Sequence, residues 1–196
     1  PLYEPYDGRK YHKPGGGVMP DMIVGGTGNG YRAKVDRENR LLTYATTESE
    51  ISHESESNKR AYTWTHAYDY DANDTILWLK NTSSSYNLII NKVGISADTT
   101  TQFIIHFPED TTPAGTLVTG VNTNRSSNNT ADALCYGDET GNTRGDIEVQ
   151  GFVTANTFAL VPQDGSIVLG INDEFAIDLV TAGTMGMVTI RGYYHE

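Results

Sequence analysis

The chain has 196 residues and a formal charge of −11, the size of one domain or of one domain with an arm, and an acidic balance that argues against nucleic acid as its main partner. Hydrophobic residues make up 37% and charged residues 20%, and 24 Thr, 14 Asn and 20 Gly fill the difference; strand and turn formers in that proportion point to an all-β protein. A single cysteine, Cys135, excludes an intrachain disulfide framework and a Cys-rich zinc site, no apolar run nears the ~20 residues of a membrane-spanning helix, and no basic start with an apolar segment marks a secretory signal.

Residues 1–34 hold Pro1, Pro5, Pro14 and Pro20 with the glycine runs Gly15-Gly16-Gly17 and Gly25-Gly26-Thr27-Gly28-Asn29-Gly30. Such a stretch cannot sustain a helix. It carries five basic and three acidic residues, a net +2, which leaves −13 for the remainder. Tyr3, Tyr6, Tyr11, Met19, Met22 and Ile23 supply more apolar surface than a bare linker needs. The expectation is an extended arm that buries these side chains against a partner. The glycine run resembles the start of a dinucleotide loop, but the third glycine of that pattern falls on Tyr31, and Arg32 to Arg40 has no apolar helical face.

From residue 40 the pattern is strand-like. Arg40 to Thr47 reads as a strand, and the Ser/Glu-rich stretch Glu48 to Asn58 as an exposed loop. Ala61 to Tyr70 alternates, with Tyr62, Trp64, His66, Tyr68 and Tyr70 on one face. Strands follow at Thr75 to Lys80, Tyr86 to Ser96, Gln102 to Phe107, Leu117 to Asn122 and Ala131 to Tyr136. The last two flank the polar loop Asn122 to Thr130. Ile147 to Val153 and Thr157 to Val161 come next, then a turn at Pro162 to Ser166, and finally Ile167 to Ile171, Glu174 to Thr181 and Met187 to Tyr194. About ten short strands at this spacing predict an antiparallel β-sandwich of jelly-roll type over residues 35–196, preceded by the extended N-terminal arm 1–34.

No catalytic constellation emerges. The histidines His12, His53, His66, His106 and His195 have no helical i, i+4 pair. Asp69, Asp71 and Asp74 form a D-x-D-x-x-D run that reads as a solvated turn, without the glycine and distal glutamate of an EF-hand. Cys135 lies in an apolar strand context that favours a buried, inert thiol. No G-x-S-x-G elbow is present. The expectation is a non-enzyme with no cofactor and no metal.

Val35-Asp36-Arg37-Glu38-Asn39-Arg40-Leu41, Ala45-Thr46-Thr47-Glu48-Ser49-Glu50 and Ala61-Tyr62-Thr63-Trp64-Thr65 together resemble small virion structural proteins of tailed bacteriophages. Leu77 to Asn81, Asn87 to Ile90, Asn122 to Ser127 and the Pro162 to Ser166 turn extend the likeness over residues 35–194 in short pieces. The resemblance implies a structural protein that decorates or cements a phage capsid. It would sit on the outer surface of the virion, be made in the host cytoplasm and assemble as a homotrimer, with the major capsid protein or other virion proteins as partners and no membrane. The arm, through Tyr3, Tyr6, Tyr11, Met19, Met22 and Ile23, would be the anchor. The alternative is a receptor- or carbohydrate-binding module of a fibre or tail, using Trp64 with Asn124 and Asn128 of the polar loop.

Overall fold

A computed structural model describes residues 34–35, 41–42, 49–111, 114–139 and 142–195. The chain divides into two compact units, residues 1–47 and 48–196. In the first, β1 (Lys34–Val35) pairs antiparallel with β2 (Leu41–Leu42). The rest of the strand expected over Arg40 to Thr47 lies outside the described residues, as do the arm residues Tyr3, Tyr6, Tyr11, Met19, Met22 and Ile23.

The second unit opens with a departure from expectation. Glu48 to Asn58 reads as an exposed loop, but the structure forms a helical turn α1 (Glu50–His53) running into a π-helical turn (Glu54–Asn58). Ser49 caps the start, its side chain accepting from the Ser52 amide, and the turn ends at Lys59 in the left-handed region, φ 57°. A Ser/Glu-rich segment has no apolar face to announce a helix. It is held here by the far end of the chain: Tyr193 donates to Glu50 Oε2 at 2.8 Å, and His195 Nδ1 lies 3.2 Å from Glu50 Oε1. Glu54 is consequently only 4% exposed.

The strands are β3 (Ala61–Tyr70), β4 (Asp74–Asn81), β5 (Asn87–Ala97), β6 (Thr101–Phe107), β7 (Asp110–Thr111), β8 (Thr116–Leu117), β9 (Val121–Asn122), β10 (Ala133–Glu139), β11 (Asn142–Thr143), β12 (Asp146–Val153), β13 (Thr157–Leu169), β14 (Glu174–Leu179) and β15 (Gly183–His195). They build an all-β sandwich of two antiparallel sheets packed face to face. The five-stranded sheet has the order β13-β5-β15-β3-β9 and the six-stranded sheet β12-β6-β14-β4-β10-β8. The chain crosses between the sheets at every step from β3 to β6 and again at every step from β12 to β15, while the inserted stretch between β6 and β12 widens both sheets beyond β3 and β4. Within that insertion β7 pairs with β11.

Most strand ends shift by a few residues, and two segments differ in kind from the sequence reading. Leu117 to Asn122 is not one strand; β8 and β9 are separate and belong to different sheets. Conversely, Pro162 to Ser166 does not end a strand. β13 runs through it, with a register irregularity against β5 between Pro162 and Ile167. An edge strand tolerates this, because the missing proline amide costs no central ladder bond.

The core lies between the sheets. Alternate residues supply it: Phe175, Ile177 and Leu179 of β14, Val188 and Ile190 of β15, Phe103 and Ile105 of β6. Burying each such side chain contributes roughly 1.5–3 kcal/mol. In β5 the alternation slips between Ile90 and Val93, and β15 shifts register between Arg191 and Gly192 opposite this point.

Candidate functional site

Alternation leaves a second face on each sheet, and the two are treated differently. On the six-stranded sheet, Trp78, Ile104, His106, Ala176 and Asp178 point away from the core yet are buried. Thr75 donates to Asp178 Oδ1 at 2.7 Å, and His106 Nε2 lies 3.0 Å from the same oxygen. Arg144, which follows β11, grips Oδ2 through Nε at 2.8 Å and Nη2 at 2.6 Å. Burial pushes the Asp178 carboxyl up, but the hydrogen bonds and charge of His106, with Thr75 and Arg144, outweigh it and hold the group below the ordinary carboxylate range. Aspartate, imidazole and hydroxyl side by side have the composition of hydrolytic machinery. With His106 fully buried and Thr75 donating to the carboxylate rather than to the imidazole, this arrangement seals a charge and offers no route to a substrate.

The outer face of the five-stranded sheet is open. Thr65 and Thr189 share a hydroxyl–hydroxyl hydrogen bond at 3.1 Å. On β13, Phe158 is 58% and Leu160 53% exposed, and Val168 stands on the same side. Phe158 lies across Gly94, where an added Cβ would come within 2.5 Å of its ring. At the edge of the other sheet, Phe152 of β12 is 74% exposed.

The residues expected to bind a ligand do not come together. Trp64 is fully buried in the core, so its ring presents no face to a ligand, which corrects the alternative built on it. Its sequence signature, an aromatic stripe, was ambiguous because Tyr62, Trp64 and Tyr70 all point inward, while Tyr68 is exposed and stacks on His66 at 5.8 Å. Asn124 is spent within the chain: its amide donates to the Ser55 carbonyl at 3.0 Å and its Oδ1 accepts from the Ser126 amide at 3.1 Å and hydroxyl at 2.7 Å. Asn122 works the same way, donating to the Lys59 carbonyl at 2.8 Å and accepting from the Asn124 amide at 2.9 Å. The polar loop is therefore pinned to the helical turns.

Asn128 alone of the three borders an open space. It is exposed at the rim of a cavity of about 370 Å³. The walls include Arg60 and Tyr62 at the start of β3, Tyr86 before β5, Asp132 before β10 and Tyr194 near the end of β15. The Arg60 guanidinium lies over the Tyr86 ring, 4.1 Å from its centroid, and donates to the Tyr86 hydroxyl at 3.0 Å. Tyr62 donates to the Thr130 carbonyl at 2.9 Å. Tyr194 is 3% exposed and its hydroxyl has no hydrogen-bond partner. Burial, with Asp132 and Tyr62 nearby, pushes its phenol well up, so it remains a donor at any ordinary pH. Arg60, Tyr86, Asp132 and Tyr194 carry no sequence signal of a site. They are separated by up to most of the chain; the pairing of β15 with β3 and β5 brings Arg60, Tyr86 and Tyr194 together, and the pairing of β10 with β4 places Asp132.

The remaining candidates fall into place singly. Asp69 and Asp71 are exposed and Asp74 half-buried around the β3–β4 turn, where Asn73 takes a φ of 61°. Burial, then the charge of Asp138, lifts the Asp74 carboxyl to about 6. Among the described residues no group of three His, Cys, Asp or Glu is placed to hold a metal ion. Cys135 is buried and unpaired, and burial pushes its thiol up, away from the thiolate. His66 packs against the backbone of Gly137, and burial, opposed by Asp138, pushes its imidazole down. No helix among the described residues is long and apolar enough to cross a membrane. No family model, curated protein or solved structure matches the chain.

Proposed function

We propose that the chain is a non-enzymatic virion structural protein, a capsid decoration or cement protein of jelly-roll type that assembles as a homotrimer and is anchored by its arm 1–34. The jelly-roll reading is supported by the strand order: β3-β15-β5-β13 stands opposite β4-β14-β6-β12, so successive strands wind around a common barrel axis in paired crossings. The assembly reading is carried by one observation, the apolar surface left outside the sandwich at Phe152, Phe158 and Leu160. Side chains of this size in open water forgo the stabilisation that burial gives, and apolar surface of this kind commonly marks a contact with another chain. Closed symmetry is the common outcome when copies of one chain share a patch.

The test is attachment. Deleting residues 1–34 is expected to leave a folded sandwich that no longer joins phage particles, scored by co-sedimentation with shells stripped of the protein. Attachment of the truncated chain with unchanged affinity would remove the anchoring role. Light scattering of the full chain should give three times the 21.5 kDa chain mass; a monomer at all concentrations would remove the trimer.

A further inference from the structure

We propose that copies of the chain meet head to tail: the basic pair Lys92 and Arg191 on the open sheet face of one copy receives the acidic turn at Asp69 and Asp71 of the next. This contact rests on the homotrimer reading and supplies its two surfaces.

Lys92 of β5 and Arg191 of β15 stand directly opposite one another in register. Such neighbours have Cβ atoms ~5 Å apart, and like charges at that spacing destabilise a sheet. Neither side chain has an ion pair among the described residues. Arg191 is half-buried, with Nε sealed and without a hydrogen-bond partner, so its charge is partly desolvated with nothing to balance it. An acid brought from outside offsets both costs. The surroundings favour a protein surface over a small anion. Leu160, opposite Gly94, and Val168, opposite Ile89, are exposed on either side of the pair, and the Phe158 ring lies across Gly94. The face is therefore filled flush, whereas small ligands take concave sites. Arginine set among apolar side chains is characteristic of a protein–protein contact.

The chain itself carries the complement. Asp69 and Asp71 are exposed at the end of β3, and the large side chains of Tyr68 and Met185 are exposed beside them. Acid is crowded here: burial, then the charges of Asp138 and Asp71, lift the Asp74 carboxyl to about 6. Two acids with two apolar neighbours thus match two bases with two apolar neighbours. They cannot meet within one chain. Asp69 stands six residues along β3 from Thr63, the register partner of Arg191, a separation of ~20 Å. A contact between two different patches is heterologous, and heterologous contacts that close form rings.

Sedimentation velocity of the full chain over a concentration series, at about 0.05 M and about 0.5 M NaCl, tests the contact. Lys92→Glu with Arg191→Glu, and separately Asp69→Lys with Asp71→Lys, should each weaken association by about a hundredfold or more. All four changes in one chain reverse both surfaces and should restore association to within about tenfold of wild type. Lys92→Glu alone sets opposite charges across from each other on the sheet, so the unfolding midpoint should hold or rise while association weakens. That variant separates a lost contact from a lost fold. High salt should loosen the wild-type assembly. A trimer unmoved by the reversals or by salt, or a quadruple variant that stays folded and monomeric, would overturn the contact and leave the trimer standing. Reversals that abolish attachment to stripped shells while the trimer persists would assign the basic face to the shell and overturn it too. A wild-type monomer at all concentrations would remove the trimer reading itself, and the contact with it.

Discussion

The two outer faces of the sandwich begin from similar strands and end in opposite conditions. β6 reads Thr-Gln-Phe-Ile-Ile-His-Phe and β13 begins Thr-Phe-Ala-Leu-Val-Pro, each alternating one side inward and one side outward. Outside β6 the chain itself closes over the sheet: Arg144 comes down on Asp178, and His106 disappears from solvent. Outside β13 nothing among the described residues covers Phe158 and Leu160. An outward residue is therefore not a surface residue until the connections are known. A face that the chain covers can hold a buried charge, because the cover brings the partner. A face left open keeps apolar side chains only where another molecule has a use for them.

The largest effect is expected on the covered face. Asp178→Ala leaves the buried His106 and Thr75, and the part-exposed Arg144, without their shared partner and should cost ~3–5 kcal/mol of unfolding free energy; a loss below about 1 kcal/mol in a urea titration would mean the network is solvated. The wild-type contribution has a pH signature. The folded-state carboxyl titrates below its unfolded value of 3.8, so the stabilisation is full above that pH and is lost as the pH falls through the lower, folded value.

Next come two glycines that each sit beneath a ring. At Gly137 an added Cβ would lie 2.3 Å from the His66 ring, which is held between β3 and β10, whereas at Gly94 it would meet the half-exposed Phe158 ring. Gly137→Ala should therefore cost ~1–3 kcal/mol by overpacking. Gly94→Ala should cost less, because Phe158 can swing into solvent. Equal thermal shifts for the two would erase the distinction between a ring held between the sheets and one free on the open face.

A smaller and opposite change is expected at Asp74. Its folded carboxyl titrates at about 6 against 3.8 unfolded, so the native state binds the proton more tightly and stability falls as pH rises across that window. Asp74→Asn should stabilise at pH 7 by about 1 kcal/mol, allowing for solvent screening of a half-exposed group, and by almost nothing at about pH 3, below the unfolded value. Denaturation midpoints at the two pH values check this. The smallest change in stability belongs to the exposed edge strand of the six-stranded sheet: Phe152→Ser should move the unfolding free energy by no more than about 0.5 kcal/mol. Its effect should appear in sedimentation, as loss of self-association. A variant that stays associated would place the interface elsewhere.

Strand-forming segments were legible where alternation was long and unbroken, as in β3, whose ends match the sequence reading residue for residue. Legibility failed where order comes from distant partners. The turn at Glu50 to Asn58 depends on Tyr193 and His195, nearly the whole chain away. The stretch Pro162 to Ser166 has the composition of a turn, but pairing on either side with β5 carries the strand through it. Of the residues first considered for ligand contact, Asn128 borders the cavity, while Trp64 fills the core and Asn124 fastens a loop. An aromatic on an alternating strand can face either way, and an asparagine can serve the backbone or a ligand.

The sequence by itself determined the class of the fold, because the period-two pattern and the abundance of Thr, Asn and Gly leave strands and turns as the only way to bury the apolar residues. It also determined the inert state of Cys135, set within an apolar strand. Tertiary structure alone decided which outer face is closed, which aromatics are walls and which are core, and that Arg60, Asp132 and Tyr194 meet. Those outcomes depend on which strands pair, and pairing joins residues whose separation along the chain carries no local signal.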